Sequence, residues 1–214
     1  MKILNLYAGI GGNRKLWSDE HKITAVEFDE ATADVYSSYF PNDNIIVDDA
    51  HKFLLDHYKE YDFIWSSPPC PTHSSANYAA NGGKNRVIKY PSMTLYQEII
   101  LLDKYFKGKW VVENVVPYYT PLIPAKKSDR HLWWSNFNIG KFNRPKAPKD
   151  FEHMRISDLE KYLGYDLSQF QLANKLKNLR NCVHPETGKY ILECALGVIR
   201  KENINQIDMF EDVS

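Results

Sequence analysis

A cysteine in a proline-rich stretch is the first residue whose type and setting could do chemistry. In SSPPCPTHSSAN (66–77), Cys70 follows two prolines and precedes hydroxyl, imidazole and amide side chains. A thiol with a pKa of about 8.5 is only slightly ionised at neutral pH, but its thiolate is a strong nucleophile. The prolines fix the backbone ahead of the thiol, which suits a nucleophile that must meet one atom of a substrate. The alternative is a buried cysteine that packs as a small hydrophobic residue.

The dipeptide Glu113-Asn114 supplies a second reactive group. It ends the strand-like stretch WVVEN, so Glu113 is expected beside Cys70 if both follow neighbouring parallel strands. A carboxylic acid near a thiolate in a partly dry pocket can have a raised pKa and serve as a proton donor. The pair therefore favours a nucleophile over an inert thiol.

A glycine-rich loop, YAGIGG (7–12), lies between a predicted strand and a predicted helix. Glycines let the chain turn sharply and bring backbone N–H groups close to a ligand. Glu27 ends the next predicted strand and could accept both ribose hydroxyls of a nucleoside, while Asp49 could accept from an adenine amino group. Phe28 could stack on the adenine ring. Alternatively, both acids cap helices and Phe28 packs in the core.

Alternating strand and helix patterns predict how these residues are positioned. Such alternation is typical of the α/β class, in which a parallel sheet is covered on both faces and ligands bind beyond the carboxyl ends of the strands. The glycine loop, both acids, the cysteine and Glu113 each lie at or just past the carboxyl end of a predicted strand. The predicted strands are 2–8, 23–29, 44–50, 61–67 and 109–115, and the predicted helices begin after the glycine loop and cover 30–40 and 92–106.

The second half of the chain has a weaker pattern. One more strand is predicted at 131–139, followed by a basic, aromatic segment with one short helical stretch, SDLEKYLGY. We expect a catalytic and cofactor-binding core at 1–139, a small insert at 140–172, a return to the core at 173–200 and an exposed tail at 201–214.

The net charge of zero conceals an uneven distribution. Residues 1–70 contain 6 basic and 12 acidic residues, a net charge of −6, whereas residues 71–214 contain 21 and 15, a net charge of +6. A basic second half could face phosphates, although a solvated polar surface would have the same composition. No apolar run reaches the ~18 residues of a membrane span, and the first residues lack the pattern of a signal peptide. Three cysteines without a CxxC pair favour a reduced cytoplasmic protein without a bound metal.

The motifs YAGIGG, SPPCPTHS, ENV, DRH (129–131) and RNCV (180–183), in this order, resemble those of DNA cytosine-C5 methyltransferases. The resemblance is closest through 1–116, about half of the chain. It implies a Rossmann-like class I methyltransferase fold with a mostly parallel sheet, and S-adenosyl-L-methionine as the methyl donor. It also implies a base that is flipped out of the duplex, because a stacked base cannot reach such a pocket.

The resemblance implies a role for each matching residue. Cys70 would add to C6 of cytosine, Glu113 would contact N3 and the amino group, Arg130 would lie near the cytosine oxygen, and Asn114 would brace the site. The implied cofactor contacts are Tyr7, Ala8, Gly9, Gly11, Gly12, Glu27, Phe28, Asp49, Pro69, Asn181 and Cys182. The candidate DNA contacts are Ser74, which matches a family serine, and five basic residues that are otherwise plain surface charge: Lys141, Arg144, Lys146, Lys149 and Arg155.

Several positions depart from the family pattern. Pro71 stands where glutamine is usual, His73 where an aromatic is usual, Ser128 where a second arginine is usual, and Cys182 where serine is usual. Only 14 residues separate Val115 from Arg130, and the segment in the slot of the target-recognition domain is very small. We expect a short or relaxed recognition sequence, or help from a partner or second subunit.

The tail contains QIDMF (206–210), which resembles the Gln-x-x-x-Phe peptides that bind bacterial sliding clamps. Gln206 would form hydrogen bonds while Met209 and Phe210 fill an apolar pocket. The alternative is a tail phenylalanine that folds back on the protein.

The sequence analysis therefore predicts a compact DNA cytosine-C5 methyltransferase of bacterial or phage origin, serving restriction-modification, protection of phage DNA or marking of replication. Attack at C6 serves equally on cytosine in RNA or on a free pyrimidine nucleotide, so these substrates stay open. A non-catalytic DNA-binding regulator on the same scaffold is the alternative from another class. Adenine or N4-cytosine methylation is disfavoured, because those enzymes typically place an aromatic residue after the prolines.

Overall fold

A seven-stranded sheet forms the centre of the protein in the computed structural model, which describes residues 1–75, 90–128, 130–140, 148 and 151–198. The strands are β1 (Lys2–Leu6), β2 (Lys22–Glu27), β3 (Asn44–Val47), β4 (Phe63–Ser66), β5 (Lys109–Val115), β6 (Lys126–Ser128) and β7 (His131–Ser135). The helices are α1 (Glu30–Tyr39), α2 (Ala50–His57), α3 (Thr94–Tyr105), α4 (Ile156–Leu163), α5 (Lys175–Asn181) and α6 (Pro185–Ala195), with short 3-10 helices at Tyr58–Glu60 and Phe151–His153.

The strand order is β3-β2-β1-β4-β5-β7-β6. The first five strands along the chain pair in parallel, whereas β7 runs antiparallel to both β5 and β6. The carboxyl ends of β1 to β5 therefore meet at one edge, as the sequence pattern predicted. The order reverses beside β1, between β2 and β4, which is where open α/β sheets form their ligand crevice.

Alternating residues of the strands build two hydrophobic cores, one on each face of the sheet. Leu4, on β1, packs in the cluster that contains Leu54 of α2 and Leu102 of α3. Its neighbour Ile3 points to the other face and packs in the cluster that contains Ile191 of α6. Because strand side chains alternate between faces, adjacent apolar residues in one strand serve both cores. This confirms the predicted α/β architecture with a mostly parallel sheet.

A third cluster joins α4 and α5 to the glycine loop. Leu159 and Leu163 of α4 and Leu179 of α5 are buried together with Ile10 and Val35. The described part of the predicted insert at 140–172 therefore packs against α1 and the glycine loop. Among the residues that the structure describes, no helix is long and apolar enough to cross a membrane.

The prediction of a helix directly after the glycine loop is wrong. Residues 9–20 form successive turns, in which Trp17 N donates to the Arg14 carbonyl. The side chains that would start a helix are drawn inward instead. Asn13 forms two hydrogen bonds with Asn5 inside the protein, and the buried Arg14 pairs with Asp43 at 2.8 Å. These buried polar contacts hold the segment in turns against the sheet.

Candidate active site

The loop after β4 holds Cys70 in a tight turn. The backbone N–H groups of His73 and Ser74 both donate to the Cys70 carbonyl, at 2.9 and 3.1 Å. Asn114, on β5, is buried and donates from Nδ2 to the Pro68 carbonyl at 2.9 Å. The turn and this bond from the neighbouring strand fix the backbone on both sides of the thiol.

Glu113 lies inside β5, whose bounds match the predicted strand at 109–115, and not just past the end of that strand as expected. The strand continues to Val115 because the antiparallel β7 pairs with it, with Glu113 opposite Trp133 and Val115 opposite His131. Glu113 is buried, and the Ser67 hydroxyl forms a hydrogen bond with its carboxylate. The indole N–H of Trp65 donates to the same Ser67 oxygen at 2.9 Å. That oxygen is therefore occupied as an acceptor, which directs the hydroxyl proton toward Glu113.

Electrostatic coupling shows that the structure brings the thiol, the carboxyl and the guanidinium together. Burial raises the pKa of Glu113 to about 7, and the charge of Arg130 opposes this rise. Burial also raises the pKa of the Cys70 thiol, and the negative charge of Glu113 raises it further, while Arg130 and Lys177 lower it. Such mutual effects require groups that share one poorly solvated region. The described residues thus place the predicted nucleophile and acid in one site.

Arg130 and His131 bound this site from the side of β7. The Arg130 guanidinium lies over the Phe151 ring, 4.2 Å from its centroid. Nε2 of His131 lies 3.9 Å from Oε2 of Glu113, and burial together with Arg130 lowers the pKa of His131 to about 4. A neutral imidazole adds no positive charge beside Glu113.

Sequence reasoning missed three residues of this site: Ser67, His131 and Lys177. The first was visible as a hydroxyl within SSPPC, and the second as the residue after the predicted arginine. Lys177 has no sequence signal, because α5 reaches the thiol only through its packing against α1 and the glycine loop. His73 is buried and its Nδ1 lies 2.6 Å from the Tyr119 hydroxyl, so its ring packs inside the protein.

The glycine loop and the end of β2 form the predicted cofactor side of the site. Gly9 N donates to Oε2 of Glu27 at 2.9 Å, and Asp29 N donates to Oε1 at 3.0 Å. Asp29, not Glu27, caps α1, so the capping alternative does not hold for Glu27. It does hold for Asp49, whose carboxylate accepts from Lys52 N and caps α2.

Phe28 is 78% exposed, so the alternative that it packs in the core is wrong. An exposed aromatic ring beside a carboxylate and a glycine loop fits the adenosine part of a nucleoside cofactor, because it offers a stacking face next to hydroxyl acceptors. Ala8 is buried behind the loop, and Pro69 is exposed. The described residues contain no group of three or more His, Cys, Asp or Glu side chains that could hold a metal ion.

The late motif returns to the glycine loop. Asn181 ends α5 and is exposed, and Cys182 follows it with its thiol against Gly12. Burial raises the pKa of Cys182 to about 12, which keeps this thiol neutral. The two predicted cofactor motifs therefore contact each other although about 170 residues separate them.

The predicted DNA contacts are only partly within the described residues. Ser74 is half-buried and bridges to Pro117, and Arg155 is exposed at the start of α4. Four basic candidates lie outside the described residues: Lys141, Arg144, Lys146 and Lys149. The predicted clamp-binding peptide at 206–210 also lies outside them.

The first half of the chain matches a known family. A family model described as C-5 cytosine-specific DNA methylase matches residues 1–119, more than half of the chain. These residues include the glycine loop, Cys70 and Glu113. No curated protein sequence matches the chain significantly.

Solved structures give the fold. The methyltransferase EhMeth of Entamoeba histolytica matches with a TM-score of 0.51 at 11% identity, over 94% of this chain and 99% of EhMeth. A DNMT2 variant of Spodoptera frugiperda matches with a TM-score of 0.37 at 27% identity, over 53% of this chain and 35% of that chain. This chain thus spans about a third of that relative. The likeness to EhMeth confirms the expected Rossmann-like class I methyltransferase fold.

Proposed function

Because the chain belongs to the C-5 cytosine-specific DNA methylase family, we propose that it transfers a methyl group to C5 of cytosine in DNA. The observation that carries this proposal is that the Cys70 loop is bonded to β5 next to Glu113, since Asn114 donates to the Pro68 carbonyl at 2.9 Å and Ser67 forms a hydrogen bond with Glu113. A nucleophile beside an acid of raised pKa is what activation of a pyrimidine ring requires, since addition at C6 builds negative charge at N3, which a proton donor neutralises.

The reaction begins with a covalent bond between Cys70 Sγ and C6 of the cytosine. Cys70 reacts as the thiolate, having lost its proton to water beforehand. Its electron pair forms the Sγ–C6 bond, the C5=C6 π pair shifts to the C4–C5 bond, the C4=N3 π pair moves onto N3, and Glu113 donates its proton to N3. With a pKa of about 7, Glu113 holds a proton in about half of the molecules at neutral pH. The Arg130 cation, which already acts on both groups, stabilises negative charge on the ring.

The second half of the reaction restores the aromatic ring. Once C5 has gained the methyl group, its hydrogen leaves as a proton to water. The electron pair of that bond re-forms C5=C6 as the Cys70–C6 bond breaks, and N3 returns its proton to Glu113. The thiolate and the carboxyl are then ready for another cycle. Because Glu113 is buried, a base stacked in a duplex cannot reach it, so the target cytosine is flipped out.

S-adenosyl-L-methionine would supply the methyl group as an electrophile on its sulfonium. Glu27 and Phe28 would hold the ribose and the adenine, and the backbone of the glycine loop would lie against the remainder. Asp49 caps α2 at the same sheet edge, and its exposed side chain would accept from the adenine amino group.

Sequencing of DNA from cells that express the protein tests this function. Bisulfite or nanopore sequencing is expected to find 5-methylcytosine in one short context for the wild type and none for Cys70→Ala. Cys194→Ala is the matched control, because Cys194 is another free cysteine but lies on α6, where it packs against the core on the other face of the sheet.

Purified protein separates the possible substrates. Labelled cofactor is incubated with duplex DNA, tRNA or dCMP, and incorporation into DNA alone is expected. Transfer to tRNA or dCMP without transfer to DNA would replace the proposed substrate by RNA or a free nucleotide. Absence of transfer to all three, together with unchanged biological effects of Cys70→Ser, would favour a non-catalytic regulator.

The small recognition segment and the tail give two proposals on partners. A short or relaxed recognition sequence, or a partner or second subunit that completes recognition, follows from the size of 140–172. The QIDMF peptide is proposed to bind a bacterial sliding clamp. A clamp pull-down should lose the protein when residues 205–214 are removed, and equal capture of the truncated protein would end this idea.

A further inference from the structure

A buried carboxylate beneath the sheet edge, Glu98, accepts hydrogen bonds from three different elements. Oε1 accepts from the Tyr7 hydroxyl at 2.6 Å and lies 3.0 Å from Nδ1 of His51, and Oε2 accepts from the Ser66 hydroxyl at 2.5 Å. Glu98 has no exposed surface. These three hydrogen bonds compensate the burial of the carboxylate, because a buried charge is tolerated only when its hydrogen bonds are satisfied.

Each of the three donors lies next to a segment on which the proposed function depends: the glycine loop, the Cys70 loop or the turn that contains Asp49. Tyr7 is the first residue of the glycine loop, and Ser66 is the last residue of β4, four positions before Cys70. His51 is the second residue of α2, directly after the turn that contains Asp49. Glu98 itself comes from the middle of α3, so one side chain connects the predicted methyl-donor loop with the predicted nucleophile loop.

Tyr7 needs such a contact to keep its backbone conformation. Its φ is +55°, in the left-handed region that a residue with a β-carbon rarely adopts. This conformation starts the turn that presents Gly9 N to Glu27. The phenol stays a donor at every functional pH, since burial and the Glu98 charge raise its pKa far above its usual value. The bond to Glu98 therefore offsets the strain at the entry to the loop.

We propose that Glu98 is a positioning residue that sets the glycine loop and the Cys70 loop relative to each other, so that methyl donor and nucleophile meet one base. This inference rests on the proposed function. Two of the hydrogen bonds to Glu98 have separate effects. The bond from Tyr7 supports cofactor binding, and the bond from Ser66 supports addition of Cys70 to the base.

The first test measures cofactor affinity, which does not depend on the nucleic-acid substrate. S-adenosylhomocysteine is titrated into wild type, Glu98→Gln, Tyr7→Phe and Ser66→Ala by calorimetry. We expect Kd to rise about tenfold in Glu98→Gln and in Tyr7→Phe, with Ser66→Ala unchanged, because only the first two lose the bond to the loop. Tyr7→Phe removes one oxygen atom, so it keeps the test open if Glu98→Gln does not fold.

The second test measures addition of Cys70 to the base. Trapping of a covalent complex on DNA that contains 5-fluorocytosine is expected to slow about tenfold in Ser66→Ala and in Glu98→Gln. If the wild type forms no complex on DNA, the proposed function fails, while the cofactor titration still decides the role of Glu98.

Tyr96→Phe is the matched control. Tyr96 is a buried phenol on the same helix, but its hydroxyl accepts from Leu122 N and lies 3.3 Å from the Tyr119 hydroxyl. It should keep the cofactor Kd of the wild type even if the melting temperature falls. Wild-type Kd in folded Glu98→Gln and Tyr7→Phe, or an equal rise in Tyr96→Phe, would overturn the proposal.

Discussion

The thiol of Cys182 packs directly over the α-carbon of Gly12, so that a β-carbon at position 12 would lie 2.1 Å from Sγ. The same β-carbon would lie 2.3 Å from the carbonyl oxygen of Val183. A side-chain sulfur could turn away, but the backbone oxygen cannot move without displacing the whole segment. Cys182 and Val183 therefore pack directly against the glycine loop. Position 12 has room for glycine alone.

Gly12→Ala is expected to lower the free energy of unfolding by about 2–4 kcal/mol and to weaken cofactor binding. Chemical denaturation and calorimetry with S-adenosylhomocysteine measure the two effects. Gly197→Ala is the control, because a β-carbon there meets nothing within 4 Å and costs only the strain of a φ of +71°, about 1 kcal/mol. If both substitutions lower the free energy of unfolding equally, the close packing of Cys182 and Val183 on Gly12 does not contribute to stability.

Glu113→Gln is expected to make the protein inactive but more stable at alkaline pH. Burial raises the pKa of Glu113 to about 7 from 4.5, so the folded state binds more protons than the unfolded state between these values. Stability from this group is therefore full below pH 4.5 and falls by about 3 kcal/mol as the pH rises to 7. Denaturation at pH 5 and pH 8 should show this loss in the wild type and not in the variant. A parallel pH dependence in both proteins would contradict it.

The rate of methyl transfer is expected to rise with pH to a midpoint near 7 and then level off. The productive state holds one proton on Glu113 and none on Cys70. Below pH 7 both groups are protonated. Above pH 7 the pair holds a single proton, and the ratio between the form with the proton on Glu113 and the form with the proton on Cys70 does not change until the pH reaches the raised pKa of Cys70. Measurement of kcat/KM from pH 5.5 to 8.5 tests this.

Ser67→Ala should move that midpoint to higher pH. The hydrogen bond from Ser67 lowers the pKa of Glu113, so its removal lets the pKa rise. A flat profile in the wild type, or a midpoint that falls in the variant, would exclude Glu113 as the group that titrates.

Phe28→Ala is expected to raise the Kd for S-adenosylhomocysteine roughly tenfold while the melting temperature stays unchanged, because a ring that is 78% exposed contributes little to the core. Tyr105→Ala is the control, since this aromatic ring is 65% exposed on α3 near its carboxyl end. Equal affinities of both variants would show that adenine does not stack on Phe28.

The sequence by itself determined the family, the α/β fold and the segments in which chemistry takes place. Cys70 and Glu113 could be identified because covalent chemistry needs particular residue types at the ends of strands, and strand periodicity is a local property of the chain. Glu27 and Phe28 were candidates from the same local reasoning, but the sequence left open whether Glu27 caps a helix and whether Phe28 packs in the core, and only the structure decided this. The predicted helix after the glycine loop failed because distant partners, Asp43 and Asn5, bind the side chains of Arg14 and Asn13.

Only the tertiary structure decided how these groups act on one another. The register between β5 and β7 places Glu113 inside a strand and His131 beside it, and burial there sets its pKa. The packing of Cys182 on Gly12 and the three bonds to Glu98 join residues that are far apart in the chain. The physical reason is that a pKa or a hydrogen bond depends on distance and solvent exposure, which sheet order and core packing fix and which local sequence patterns do not contain.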